Sequence, residues 1–250
     1  FFDNKMPNKE VLHNLFHRQD TWRGRNRSLR NRVVTTGFKD LNQLLLGGWP
    51  LSGLTELISP QDGIGEVSLL LPTIKHYVKQ NTLCVWLNPP YQPNAQALLE
   101  AEISLDQLLL VHTQNSREWL WAAEQIIRNN ALLSAWTTGI EPNYAAPRKL
   151  QLASSESLTP AFLFSPIKVL NSPSPARLRM GLNSEKANIL NVTLHKLKGK
   201  MPGAKTQIVF SNHQTERTPL NKLPVNIHYP EIPQPDYQIP KKDTLKRLNT

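Results

Sequence analysis

The residues best placed for chemistry lie in 54–71: a short apolar run, Leu54–Ile58, a glycine-containing turn, Ser59–Gly65, and a second apolar run that opens a helix. A glycine-rich turn between strand and helix aims backbone N–H groups at an anion over the helix N-terminus, and so suits phosphate. Ser59, Pro60, Gly63 and Gly65 have the types and order of such a turn. The next two positions are wrong for the reaction. A phosphate loop of the G-x-x-x-x-G-K-[ST] type puts a Lys on the β/γ-phosphates and a hydroxyl on magnesium. Here those positions hold Glu66 and Val67, with Ser68 one place too far along. A carboxylate facing a triphosphate repels it. The turn is expected to keep the shape of a nucleotide site without its charge.

Other reactive side chains are scattered. Ser154, Ser155 and His112 show no nucleophile-elbow or zinc spacing, so a hidden hydrolase is not expected. His13 and His17 stand four apart but lack a third ligand, and no metal site is expected. The single cysteine, Cys84, lies in an apolar run and reads as a buried, inert thiol. Glu100, Glu102 and Asp106 read as a solvated surface. Trp119 and Trp121, two apart on a helix, cannot both face the core, and an exposed Trp beside Arg117 is suited to gripping a protein partner.

The elements that must position the turn follow from periodicity. Strands are expected at Leu54–Ile58, Thr82–Leu87, Leu108–Val111, Leu132–Trp136 and Ala161–Phe164, the second and third as continuous buried runs. Helices are expected at about 66–80, Asn94–Ala101, Ser116–Asn129 with Ser116 as cap, and Pro147–Ser155. A shorter helix within 35–50 should turn Leu41, Leu44 and Leu45 inward. Strands alternating with helices imply an α/β fold, a mostly parallel sheet covered on both faces. After Pro166 the pattern alternates at Arg177–Leu182 and Ile189–Lys196 across the polar link Asn183–Asn188. This reads as a hairpin within 176–198 at the edge of the sheet, with Arg177, Arg179, Lys196 and Lys198 facing outward.

Composition divides the 250 residues further. Residues 1–34 read as an amphipathic helix, with Val11, Leu12, Leu15 and Phe16 on one apolar stripe, and a basic linker carrying Arg23, Arg25, Arg27, Arg30 and Arg32. Residues 35–210 read as the core, and 211–250 as a Pro-rich, basic, flexible tail. The formal charge is +5 over 1–35, −3 over 36–170 and +8 over 171–250, so both ends are suited to weak contacts with DNA or an acidic protein. The arginines of the linker, with Arg177 and Arg179, are the candidate contacts. No run is long and apolar enough to span a membrane. The first thirty residues lack the apolar segment of a signal peptide, and Met6 is a candidate start, so the expected location is the cytoplasm, at the nucleoid when acting.

Taken in order, the motifs resemble a known family. Thr36-Gly37-Phe38, Gly47-Gly48-Trp49-Pro50 and Gly53-Leu54-Thr55-Glu56-Leu57 resemble the lead into the phosphate loop of the RecA-type recombinase core. With Gly63-Ile64-Gly65-Glu66 before Leu69-Leu70-Leu71-Pro72, Trp86-Leu87-Asn88-Pro89-Pro90, Leu120-Trp121-Ala122-Ala123-Glu124-Gln125 and Arg148-Lys149-Leu150-Gln151-Leu152-Ala153, the set is similar to the ImuA family. Trp22-Arg23-Gly24-Arg25 and Ser174-Pro175-Ala176-Arg177-Leu178-Arg179 fit the same family, and the likeness runs over about residues 10–200. It implies a RecA-like fold and an accessory role in SOS-induced translesion DNA synthesis. The partners it implies are an ImuB-like inactive Y-family polymerase, an error-prone DnaE-type polymerase and RecA. The apolar stripe of the N-terminal helix would dock on RecA or on a second copy. The smaller SulA family, inhibitors of cell division that bind FtsZ, shares part of this pattern and is the alternative.

The resemblance also tests the missing chemistry. The water-activating carboxylate after the second strand falls at Pro90, and the metal-supporting Asp of the later strand falls at Trp136. With Glu66 in the Lys position, all three groups that phosphoryl transfer needs are replaced. The resemblance thus implies a degenerate pseudo-ATPase with no cofactor.

Overall fold

The structure is a computed structural model that describes residues 32–137, 139–140 and 145–210. The chain divides into two units, Phe1–Ser211 and Asn212–Thr250, and every described residue belongs to the first. The N-terminal stripe of Val11, Leu12, Leu15 and Phe16, the pair His13 and His17, Arg23, Arg25, Arg27 and Arg30, and the tail 211–250 lie outside the described residues.

A two-stranded ribbon, β1 (Val33–Val34) and β2 (Trp49–Pro50), encloses α1 (Lys39–Leu44). Leu41, Leu44 and Leu45 are buried there, as their spacing requires. The main chain of the fold then runs β3 (Leu54–Ser59), α2 (Glu66–Val78), β4 (Cys84–Leu87), α3 (Ala95–Glu100), β5 (Leu108–Val111), α4 (Ser116–Arg128), β6 (Leu132–Trp136), α5 (Ala145–Ala153) and β7 (Ala161–Pro166). It closes with β8 (Leu178–Lys186), β9 (Ile189–Lys196) and β10 (Lys205–Val209).

The eight strands β3–β10 form one sheet in the order β10-β9-β8-β3-β7-β6-β4-β5. From β8 to β5 all neighbours are parallel, while β9 and β10 are joined antiparallel. Strands β3, β4 and β6 are buried throughout, which is why β4 reads as a continuous apolar run and the other two as largely apolar ones. One face packs on α1, α2 and α3 through Trp86, Trp136, Phe162 and Phe164. The other packs on α4 and α5 through Leu54, Leu87, Leu133 and Leu163. The expected α/β architecture with a mostly parallel sheet is present.

Several local expectations need correction. Strand β5 is not buried: it is the sheet's outer strand, and Leu109 is 47% exposed. Helix α4 is capped by Asn115, whose side chain accepts from the Glu118 N–H, so Ser116 is already helical. Most of the hairpin's polar link is strand: β8 continues to Lys186, with an irregular register between Asn183 and Lys186, and only Ala187 and Asn188 form the turn. Nor is the hairpin the edge, because β10 pairs beyond it. Arg179 does not face outward; it is buried against Glu56.

Candidate functional site

Parallel strands deliver their C-terminal ends to one side of a sheet, and ligands of such folds sit in the crevice outside those ends. Here the turn after β3, Asn88–Tyr91 after β4, His112 and Thr113 after β5, Thr137 after β6 and Lys168 after β7 converge on two adjoining clefts of 430 and 570 Å³. Asp62 and Gly139 line both.

The turn has the bends that its glycines allow. Gly63 and Gly65 have φ of 81° and 104°, a left-handed region that favours glycine, and Gly65 is the cap residue of α2 without a side-chain cap. A Cβ on Gly65 would stand 2.8 Å from the ring of Phe210, which also meets Phe38 edge-on with centroids 5.9 Å apart. Glu66, the first residue of α2, folds back over the turn. Its Oε1 accepts from the Gly63 N–H at 2.8 Å, the side chain is 3% exposed, and Oε2 has no hydrogen-bond partner among the described residues. Val67 packs against the core and Ser68 is half-buried.

The other two expected site positions differ in kind. Pro90 lines the first cleft, beside the 68%-exposed Tyr91. The preceding Asn88 clamps β4 to β5: its Oδ1 accepts from the Thr113 N–H at 2.8 Å. Trp136 lines neither cleft; it is buried, stacked on Phe164 with centroids 4.4 Å apart. Thr137, one residue on, reaches the second cleft, but its hydroxyl donates to the Phe164 carbonyl at 3.1 Å. Ser59, Pro60, Gly63, Gly65, Glu66 and Pro90 are thus brought to one end of the sheet, and Trp136 is core.

The candidate polyanion contacts separate too. Arg179 Nε donates to Glu56 Oε2 at 2.6 Å, while its guanidinium also donates to the carbonyls of Val169, Leu170 and Ser172. Arg177 is half-buried and donates to the Ser52 carbonyl at 2.8 Å and to the Ser52 hydroxyl. Both arginines make contacts within the fold, and Arg179, expected to face outward, is buried. Arg32 is exposed. Lys196 Nζ donates to the Ser174 carbonyl.

Among the described residues no group of three or more His, Cys, Asp or Glu could hold a metal ion, and no helix is long and apolar enough to cross a membrane. Cys84 is buried, with its thiol pushed up to about 12 by burial. Trp119 is fully buried and donates from Nε1 to the Trp136 carbonyl at 3.0 Å, whereas Trp121 is 64% exposed, the division that their spacing demands.

Sequence reasoning placed Glu66 in the turn but missed its inward fold. No spacing rule announced it: a capping box has its glutamate three residues after the cap, whereas Glu66 directly follows the cap residue Gly65 and reaches back to Gly63. Phe210 was missed because it follows a strand that the apolar pattern hides. No protein-family model matches this chain, and no curated protein matches it.

Proposed function

We propose that this chain is a non-catalytic, RecA-like accessory protein of SOS-induced translesion synthesis, a member of the ImuA family, acting through protein contacts. The partners proposed are an ImuB-like inactive Y-family polymerase, an error-prone DnaE-type polymerase and RecA. The reading rests on the ordered motifs, and it is supported by a phosphate-type turn at the C-terminal end of an internal strand of a mostly parallel sheet.

The observation that carries the non-catalytic half is the identity of three positions. Where the resemblance puts a phosphate-binding Lys, a water-activating carboxylate and a metal-supporting Asp, this chain has an inward-folded glutamate, a proline and a core tryptophan: Glu66, Pro90 and Trp136. Phosphoryl transfer is positioning plus electrostatic stabilisation, and none of these side chains supplies the group that its position needs: a glutamate is no cation, and a proline and a tryptophan are no carboxylates. Steady-state ATP hydrolysis, with or without single-stranded DNA, should equal the blank.

The deciding experiment is a pull-down from bacterial cells exposed to DNA damage, using the full chain, a version ending at Asn212, and Leu15→Asp/Phe16→Asp. Recovery of a Y-family-like protein, an error-prone polymerase or RecA supports the role. Loss on truncation or in the double variant assigns the contact to the tail or to the apolar stripe. Recovery of FtsZ alone overturns the reading in favour of a SulA-like division inhibitor.

A further inference from the structure

Only two carboxylates among the described residues are buried, and they are held in opposite ways. Glu56 has the partners that a buried charge requires: Arg179 on Oε2 and the Ser165 hydroxyl on Oε1. Glu66 is just as buried, at 3% exposure, and has no cation among the described residues. What holds it is the Gly63 N–H at 2.8 Å and a position at the head of the 13-residue helix α2. A backbone N–H in a left-handed glycine turn and a helix N-terminus are the groups that bind a free anion. The second oxygen, Oε2, is buried without a hydrogen-bond partner among the described residues.

We propose that the turn Ser59–Gly65 is a working anion nest whose resident ligand is the chain's own Glu66 carboxylate, so that phosphate is shut out because its place is taken. This rests on reading the turn as a degenerate phosphate loop, and it goes further. Loss of the Lys and repulsion by a like charge would leave an empty cradle; here the cradle is filled. The chemical class of ligand it would take, once vacated, is inorganic phosphate, pyrophosphate or the phosphates of a nucleotide.

Two variants separate occupancy from repulsion. Glu66→Gln removes the charge but keeps an oxygen for the Gly63 N–H and nearly the same volume. Glu66→Ala vacates the nest. Pyrophosphate titrated into each full-length protein by calorimetry should show no saturable binding to the parent or to Glu66→Gln. Glu66→Ala should gain saturable binding, at least about 10- to 100-fold above the detection limit that the parent fails to reach, the worth of an amide-to-anion hydrogen bond handed to the ligand. Should Glu66→Ala not fold, amide hydrogen exchange on the parent and Glu66→Gln decides. The Gly63 N–H should exchange far more slowly in both than an exposed amide.

Equal gains in Glu66→Gln and Glu66→Ala would mean that charge alone excludes the anion, and would overturn the proposal. So would no gain in a folded Glu66→Ala, a parent that already binds pyrophosphate, or a fast-exchanging Gly63 amide. ATP turnover by the parent is a separate result: it would sink the non-catalytic reading, whereas failure of the gain sinks only the occupied nest.

Discussion

Glu56 stands in the middle of β3, and opposite it in register on β8 is Arg179. Side by side on parallel strands and almost wholly buried, they form an ion pair at 2.6 Å. The arginine's remaining N–H groups donate to three carbonyls of the β7–β8 connection, so the pair ties that crossover to the centre of the sheet. A buried pair adds little over a well-packed apolar pair, but removing one partner strands a charge in the interior. Arg179→Ala should therefore cost about 3–5 kcal/mol in urea unfolding, while Arg179→Met with Glu56→Leu should recover most of it. A double variant as unstable as the single would mean that the carbonyl contacts carry the stability. Cys84 makes a second residue-scale test. With its thiol pushed up to about 12 by burial in a strand, almost no thiolate forms near neutrality. Labelling by a thiol reagent should be negligible in the native protein and rapid in denaturant; fast native labelling would show that β4 opens.

Strands β8 and β9 do not pair evenly: Arg179 faces Lys196 and Met180 faces Leu194, which leaves His195 as the extra residue of a bulge. Its ring lies over Gly181, where a Cβ would come within 2.6 Å of Nε2. Loss of solvation, and then the positive charge of Arg179, hold the imidazole below its ordinary 6.5. The unfolded chain thus takes up this proton at a higher pH than the folded one. The contribution of His195 is complete above about pH 6.5 and is lost as the pH falls below it. Urea midpoints should drop between pH 7 and 5, and His195→Gln should flatten that slope; an unchanged slope would assign it to other groups. This region also marks where the sequence stops being legible. The inner strands β3, β4, β6 and β7 were readable because burial on both faces leaves largely apolar runs. Strand β10, Lys-Thr-Gln-Ile-Val, buries only Ile208 and gives no such run. Arg179 looked like an outward basic residue because its partner lies 123 positions away. The exposure of β5 depends on which strand ends the sheet, and no local pattern states that. At the site, the glycine turn and the replaced positions were legible, while the inward fold of Glu66 was a matter of side-chain direction.

The molecule's architecture makes its last described residues as important as its first. Strand β3 is flanked by β7 and β8, so Leu54 pairs with Ala161 and Thr55 with Leu178, and β3 has no partner in the sheet until the chain has reached β7. Such long-range pairing makes unfolding cooperative, with few stable partial structures. The sheet then grows outward through β9 to β10, and Phe210 returns to the nucleotide-type turn, where its ring covers Gly65 and meets Phe38. A chain ending at Ser211 should therefore keep the full-length urea midpoint, because the compact unit ends there. A chain ending at Ile208 loses Val209 and that ring. It should fall short by up to about 1.5–3 kcal/mol, the worth of a fully buried Phe, and toward the lower end because Phe210 is only half-buried. Equal midpoints for the two truncations would mean that Phe210 covers the turn without stabilising it. A loss already present at Ser211 would mean that residues beyond it complete the core, and that the boundary between the two units lies further on.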